Sequence, residues 1–87
     1  MNEKIKNLED LKTIAADLKL KGKKVVHCHG VFDLLHIGHI KHFNQAKTYG
    51  DVLIVSLTCD EHVNKGPYRP AFKEVQRLEA IQALNIV

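Results

Sequence analysis

Val52-Leu53-Ile54-Val55-Ser56-Leu57 is almost wholly apolar and lacks polar alternation. A strand of that composition is covered on both faces, which happens in parallel sheets that carry helices. Lys24-Val25-Val26-His27-Cys28 is a second short strand, because its β-branched residues sit in a run too short for a helix. Between the two, Ile40, Phe43, Ala46 and Lys47 recur at helical spacing until Tyr49-Gly50 closes the pattern. Strand, helix and strand between Lys24 and Leu57 predict a parallel, right-handed βαβ unit and an α/β fold.

A helix precedes this unit and another follows it. Leu8, Leu11, Ala15 and Leu18 give an amphipathic leader helix over Asn7–Leu20, with Asn7 as N-cap, Glu9 and Asp10 in the first turn and Gly22 as the stop. This helix is expected to pack on the sheet. After a polar loop from Thr58 to Pro70, Ala71–Asn85 predicts a third helix. Its core stripe is Phe72, Val75, Leu78, Ile81 and Leu84, with Lys73, Glu74, Gln76, Arg77 and Gln82 more exposed. Ile86-Val87 reads as the start of a third buried strand. Two complete parallel strands make a poor sheet, so the expectation is a fragment, or a sheet completed by something else.

With 87 residues, one domain is the ceiling. The formal charge of +3 comes largely from lysines spread through the chain instead of one block, an excess that fits phosphorylated ligands as well as nucleic acid and decides little between them. No apolar run approaches the ~18 residues of a membrane span, and Met1-Asn2-Glu3-Lys4 opens no signal-peptide core, so a cytoplasmic location is expected. Cys28 and Cys59 lack metal-like or disulfide spacing and read as reduced, mostly buried thiols.

The chemistry concentrates in His29-Gly30-Val31-Phe32-Asp33-Leu34-Leu35-His36-Ile37-Gly38-His39, at the junction of the first strand and the helix. In open parallel sheets, ligands bind beyond the carboxyl ends of the strands, where this segment and the Thr58–Pro70 loop both emerge. Gly30 permits tight backbone passage, and Gly38 leaves the amides of the helix start open to an anion. Three residues apart, His36 and His39 share one helix face and suit charge developing on a transferring phosphate. The alternative is that one or both bond only to local backbone.

Gly30-Val31-Phe32-Asp33-Leu34-Leu35-His36-Ile37-Gly38-His39 resembles the G-x-F-D-x-x-H-x-G-H motif of the cytidylyltransferase-like nucleotidyltransferase superfamily. Within it, the stretch from Lys24 to Val87 is most similar to glycerol-3-phosphate cytidylyltransferases and to the nucleotidyltransferase domain of ADP-heptose synthases, including domains fused to sugar kinases. The resemblance implies a Rossmann-like three-layer α/β/α parallel sheet of the HUP type. Residues 1–87 then form a single, C-terminally incomplete nucleotidyltransferase domain, with a leader helix in 1–22 and the core in 24–87.

The implied reaction transfers CMP or AMP from CTP or ATP to a phosphorylated sugar or polyol, releasing pyrophosphate, with Mg²⁺ arriving on the triphosphate. By the family pattern His36, His39 and Lys65 are catalytic, while Val31, Phe32, Asp33, Gly38 and His39 bind the nucleotide. Arg69 and Arg77, in a similar R-P-x-x-x-E-x-x-x-R context, approach phosphate. Asp33 has an equal alternative in bracing the turn, and Lys65, Arg69 and Arg77 have one as solvated charges. His29 departs from the small residue expected at its place and reads as a ligand contact or a cap, whereas His27 and His42 read as structural. Together with Cys28, Cys59 and His62 they raise a zinc alternative, since His36, His39 and His42 share a helix side, but the spacing matches no usual zinc pattern and no metal site is expected.

The family's second motif, a Ser/Thr-rich segment at a helix start, is absent from the 87 residues. Other readings are a phosphopantetheine-type adenylyltransferase and a non-catalytic nucleotide-binding module. A homodimer, or association with a sugar kinase, is a further expectation from the resemblance.

Overall fold

The computed structural model describes residues 4–63 and 70–87. In order along the chain are α1 (Leu8–Leu20), β1 (Val25–Gly30), α2 (Ile37–Lys47), β2 (Val52–Leu57), a 3₁₀ turn (Asp60–His62) and α3 (Glu74–Gln82). β1 and β2 form a two-stranded parallel sheet with Val25 opposite Val52 and Gly30 opposite Leu57. The fold is mixed α/β, as the sequence implies.

Both ends of α1 are set by local chemistry. The Asn7 side chain accepts the Asp10 amide at 2.8 Å, satisfying one donor of the first turn. At the other end Gly22 takes φ 78°, and the Gly22 and Lys23 amides return to the carbonyls of Lys19 and Leu18. That is the glycine-terminated exit in which a left-handed residue satisfies orphan carbonyls.

The core is small. Phe43 of α2, fully buried, sits on Cys28 of β1 and Leu53 of β2, with Val26, Val55, Ala46 and Leu84 around it. Leu53 is the one β2 residue that is fully buried; the rest of the strand is half-buried. Coverage on both faces is therefore incomplete, because α1 leaves an apolar groove of about 230 Å³ against Ile54, Leu78 and Ile81. Ile86 and Val87 form no strand and fold back onto the Phe43 cluster.

α3 departs furthest from expectation. It spans Glu74–Gln82, shorter than Ala71–Asn85, because the amides of Ala71 and Phe72 are held by a distant carboxylate instead of entering the helix. Its buried face is also rotated. Arg77 and Ile81, one turn apart, are buried, while Val75 is 63% exposed and Phe72 is 47% exposed.

The two thiols differ. Cys28 is buried, and loss of hydration pushes its pKa up, whereas Cys59 is exposed, against the expectation of two buried thiols. Since the thiolate is the reactive form, Cys59 is expected to react rapidly with a disulfide reagent and Cys28 only on unfolding. Two equally fast thiols under native conditions would contradict the fold around Phe43. The Cys28 contribution to stability is present below the ordinary thiol pKa of about 8.5 and is lost as pH rises through its higher folded value.

Candidate functional site

β1 runs two residues past Cys28, so His29 and Gly30 are in the strand. The chain then turns at Phe32, which adopts a left-handed φ of 50°, a conformation rarely taken by a bulky residue. Its ring folds back over Gly30, where a Cβ would sit 2.8 Å from Cζ of the ring. Gly30 is thus required by the Phe32 ring lying on it. The other edges of that ring meet His39 at 5.5 Å and Phe43 at 5.1 Å between centroids, both edge-on. Core, turn and His39 are thereby joined through one aromatic side chain.

His36 is the N-cap of α2, one residue before the helix, and His39 is its third residue. The His36 Nδ1 accepts the Gly38 amide at 3.0 Å, and the His39 Nδ1 accepts the His36 amide at 3.1 Å. The two rings close a reciprocal capping box, a job usually done by Ser or Thr with Glu. Both rings bond to local backbone, and this has a chemical consequence. A neutral imidazole that accepts at Nδ1 carries its hydrogen on Nε2, so the cap fixes the tautomer of both rings. The rings lie 4.1 Å apart, centre to centre.

The open helix start expected from the sequence is altered by this arrangement. The Gly38 amide is taken by His36, and the His39 amide bonds to the His36 carbonyl at 3.0 Å. Gly38 leaves room for the His36 ring, since a Cβ there would lie 2.7 Å from its Cε1. Gly38→Ala is expected to displace that ring and cost about 1 kcal/mol, the worth of an N-cap. Urea unfolding reads the change, and an unaltered midpoint would contradict the contact.

Asp33, Asp60 and Arg77 hold the rim together. Asp33 is 4% exposed, and its carboxylate accepts the amides of Ala71 at 2.7 Å and Phe72 at 2.8 Å. The bracing reading of Asp33 is therefore realised at long range, on the approach to α3. Arg77 is 1% exposed. Its Nε donates to the Phe72 carbonyl at 3.0 Å, its Nη1 to the carbonyls of Val31 at 2.9 Å and Thr58 at 2.8 Å, and its Nη2 to Asp60 Oδ1 at 2.6 Å. The same Asp60 oxygen accepts the Glu74 amide at 2.9 Å, at the start of α3. Both readings of Arg77, as a phosphate ligand and as a solvated charge, are corrected: four acceptors inside the protein occupy its guanidinium. Asp60 is the residue that the sequence reading missed.

A cleft of about 330 Å³ opens between this loop and α3, lined by Phe32, Asp33, Leu35, Phe72, Gln76 and Ala80. Lys65 and Arg69 lie outside the described residues. His42 Nε2 sits 3.9 Å from Cys28 Sγ, while His27 and His29 both reach Ser56. Among the described residues, no group of three or more His, Cys, Asp or Glu side chains is arranged to hold a metal, and no helix is long and apolar enough to cross a membrane.

Comparison with known proteins places this sequence in a family. The model of the cytidylyltransferase-like family matches residues 27–87, from β1 through the histidine box to the chain end. Among curated proteins, the chain is similar to the bifunctional protein HldE of Geobacter metallireducens, with 45% identity over 86 residues, covering 97% of this chain and 18% of that protein. The bifunctional protein HldE of Sulfurimonas denitrificans is 45% identical over 85 residues, covering 95% and 18%. That of Aliarcobacter butzleri is 41% identical over 88 residues, covering 99% and 18%. The chain thus spans 18% of the length of these relatives. With the family match covering the motif and most of the sequence, the chain belongs to the cytidylyltransferase-like family.

Proposed function

We propose that this chain carries the nucleotide half-site of a nucleotidyltransferase that moves CMP or AMP from CTP or ATP to a phosphorylated sugar or polyol, within a Rossmann-like domain. The observation that carries the reading is the reciprocal histidine cap, which orients two imidazoles at a helix start and fixes Nε2–H as the donor of each. Two such donors suit a phosphate that gains charge during transfer. A phosphate oxygen of the acceptor attacks the α-phosphorus, the bond to the β-phosphate bridging oxygen breaks, and pyrophosphate leaves with the electron pair. An anionic nucleophile has little need of a general base, so positioning and charge neutralisation carry most of the rate.

His36 and His39 serve as those donors, and Gly38 admits the His36 ring. Val31 and Phe32 border the nucleotide, Val31 with its carbonyl fixed by Arg77. Lys65 and Arg69 are assigned to the triphosphate and acceptor phosphate on the motif resemblance alone. Asp33 and Asp60 are committed to backbone amides and to Arg77, so no carboxylate cage is offered by them, and Mg²⁺ fits as an ion held by the phosphates themselves. When bound, Mg²⁺ supplies charge neutralisation on the triphosphate. Operation as a homodimer or beside a sugar kinase follows from the same resemblance, and a cytoplasmic location goes with that reading.

The test has two stages. Nitrogen-edited NMR of this chain, titrated with CTP or ATP in Mg²⁺, is expected to move the amides of Val31 to Ile40. Pyrophosphate release is then measured in a chimera supplying a family Ser/Thr-rich second motif, across phosphorylated sugars, polyols and phosphopantetheine. Binding without turnover of any acceptor would favour a nucleotide-binding module, and failure to bind either nucleotide would sink the proposal.

A further inference from the structure

His27, His29 and Ser56 form a cluster that nucleotidyl transfer leaves unused. On the extended β1 strand, His27 and His29 are two residues apart and share a face, opposite to that of buried Cys28. Parallel pairing sets Ser56 of β2 against His29. The Ser56 Oγ lies 2.7 Å from His27 Nε2 and 2.6 Å from His29 Nδ1, so the two ring nitrogens converge on a common point. One hydroxyl has one proton to donate. It bonds one lone pair and accepts from the other ring, so a ring lone pair already faces the cluster. Thr58 Oγ1, 3.4 Å from His29 Nε2, stands where it can take that ring's other hydrogen and leave Nδ1 as the lone pair. Both rings are exposed.

We propose that His27 Nε2 and His29 Nδ1 form a two-imidazole site for a borderline divalent transition ion of the Zn²⁺ class, which takes the place of the Ser56 hydrogen-bond bridge. Imidazole is a preferred donor for such ions, at metal–nitrogen distances of about 2.0–2.1 Å. The two nitrogens bind together from one strand face, and water completes the coordination. Thr58 orients His29 as an outer hydrogen-bond partner, the role that fixes tautomer and ring direction at metal sites. Ser56, brought across by the sheet register, marks the point of convergence. Hard Mg²⁺, which prefers oxygen donors, is not expected to bind here.

Isothermal titration of the metal-free chain with Zn²⁺ is expected to show one saturable equivalent. His27→Ala and His29→Ala should each weaken it by at least about tenfold. Ser56→Ala, which removes the competing hydroxyl, should not weaken it, and His42→Ala should leave it unchanged. Because the alanine variants change a strand, imidazole nitrogen NMR on the native chain gives an independent reading, with Zn²⁺ moving His27 Nε2 and His29 Nδ1. Absence of a saturable equivalent, retention of binding in both His27→Ala and His29→Ala, or shifts confined to His36 and His39 would each overturn the proposal.

Discussion

Arg77→Ala is expected to destabilise the chain by about 3 kcal/mol, the low end of the range for breaking a buried ion pair, because the Asp60 side chain keeps 28% exposure. The substitution would strand the Asp60 carboxylate and the carbonyls of Val31, Thr58 and Phe72. Small domains have only about 5–15 kcal/mol in total, so the variant should lose a large share of its stability and unfold at a much lower urea concentration. Arg77→Lys keeps the charge but not the planar fork, so it should recover only part of the loss. Urea unfolding followed by circular dichroism measures all of this. An Arg77→Ala variant within about 1 kcal/mol of the parent, the scale of one ordinary hydrogen bond, would show that the buried guanidinium is not the knot described.

The second large effect concerns the histidines and separates their two jobs. In an active chimera, His36→Asn or His39→Asn is expected to lower kcat by about 10²–10³-fold, the worth of one transition-state donor. The asparagine oxygen can stand near the position of Nδ1 and keep the cap, while nothing remains at Nε2. Stability should therefore change little. His→Ala at either position should lose activity and also about 1 kcal/mol of stability, because the cap goes with it. Pyrophosphate release and urea midpoints, read on the same samples, distinguish the cases. Asn variants that keep full activity would remove the assigned role.

Sequence patterns reached the strands and α2 because burial of β-branched and helically spaced apolar residues is a local signal. β1, β2 and α2 appear close to where Val25, Phe43 and Leu53 require them. The rim was less legible, since its bonds join residues far apart in the chain. Arg77 reads as a surface charge by periodicity, yet its acceptors come from Val31 and Asp60, 46 and 17 residues away. Asp33 reaches the amides of Ala71 and Phe72 across a similar gap, and so shortens α3 in a way no propensity anticipates. The motif itself was visible as two histidines and a glycine. That the rings cap the helix through one nitrogen and fix the other was not, because N-cap preferences point to Ser, Thr, Asp or Asn.

The histidine cap sets a trap for anyone engineering this chain toward robustness. Ser or Asp at position 36 is by helix-cap statistics the better residue. A consensus or stability-guided redesign would favour replacements of this kind on local grounds. Each would erase the Nε2 donor of His36, so thermal tolerance selected by itself would select against the site, and positions 36 and 39 need to be held fixed in any such campaign.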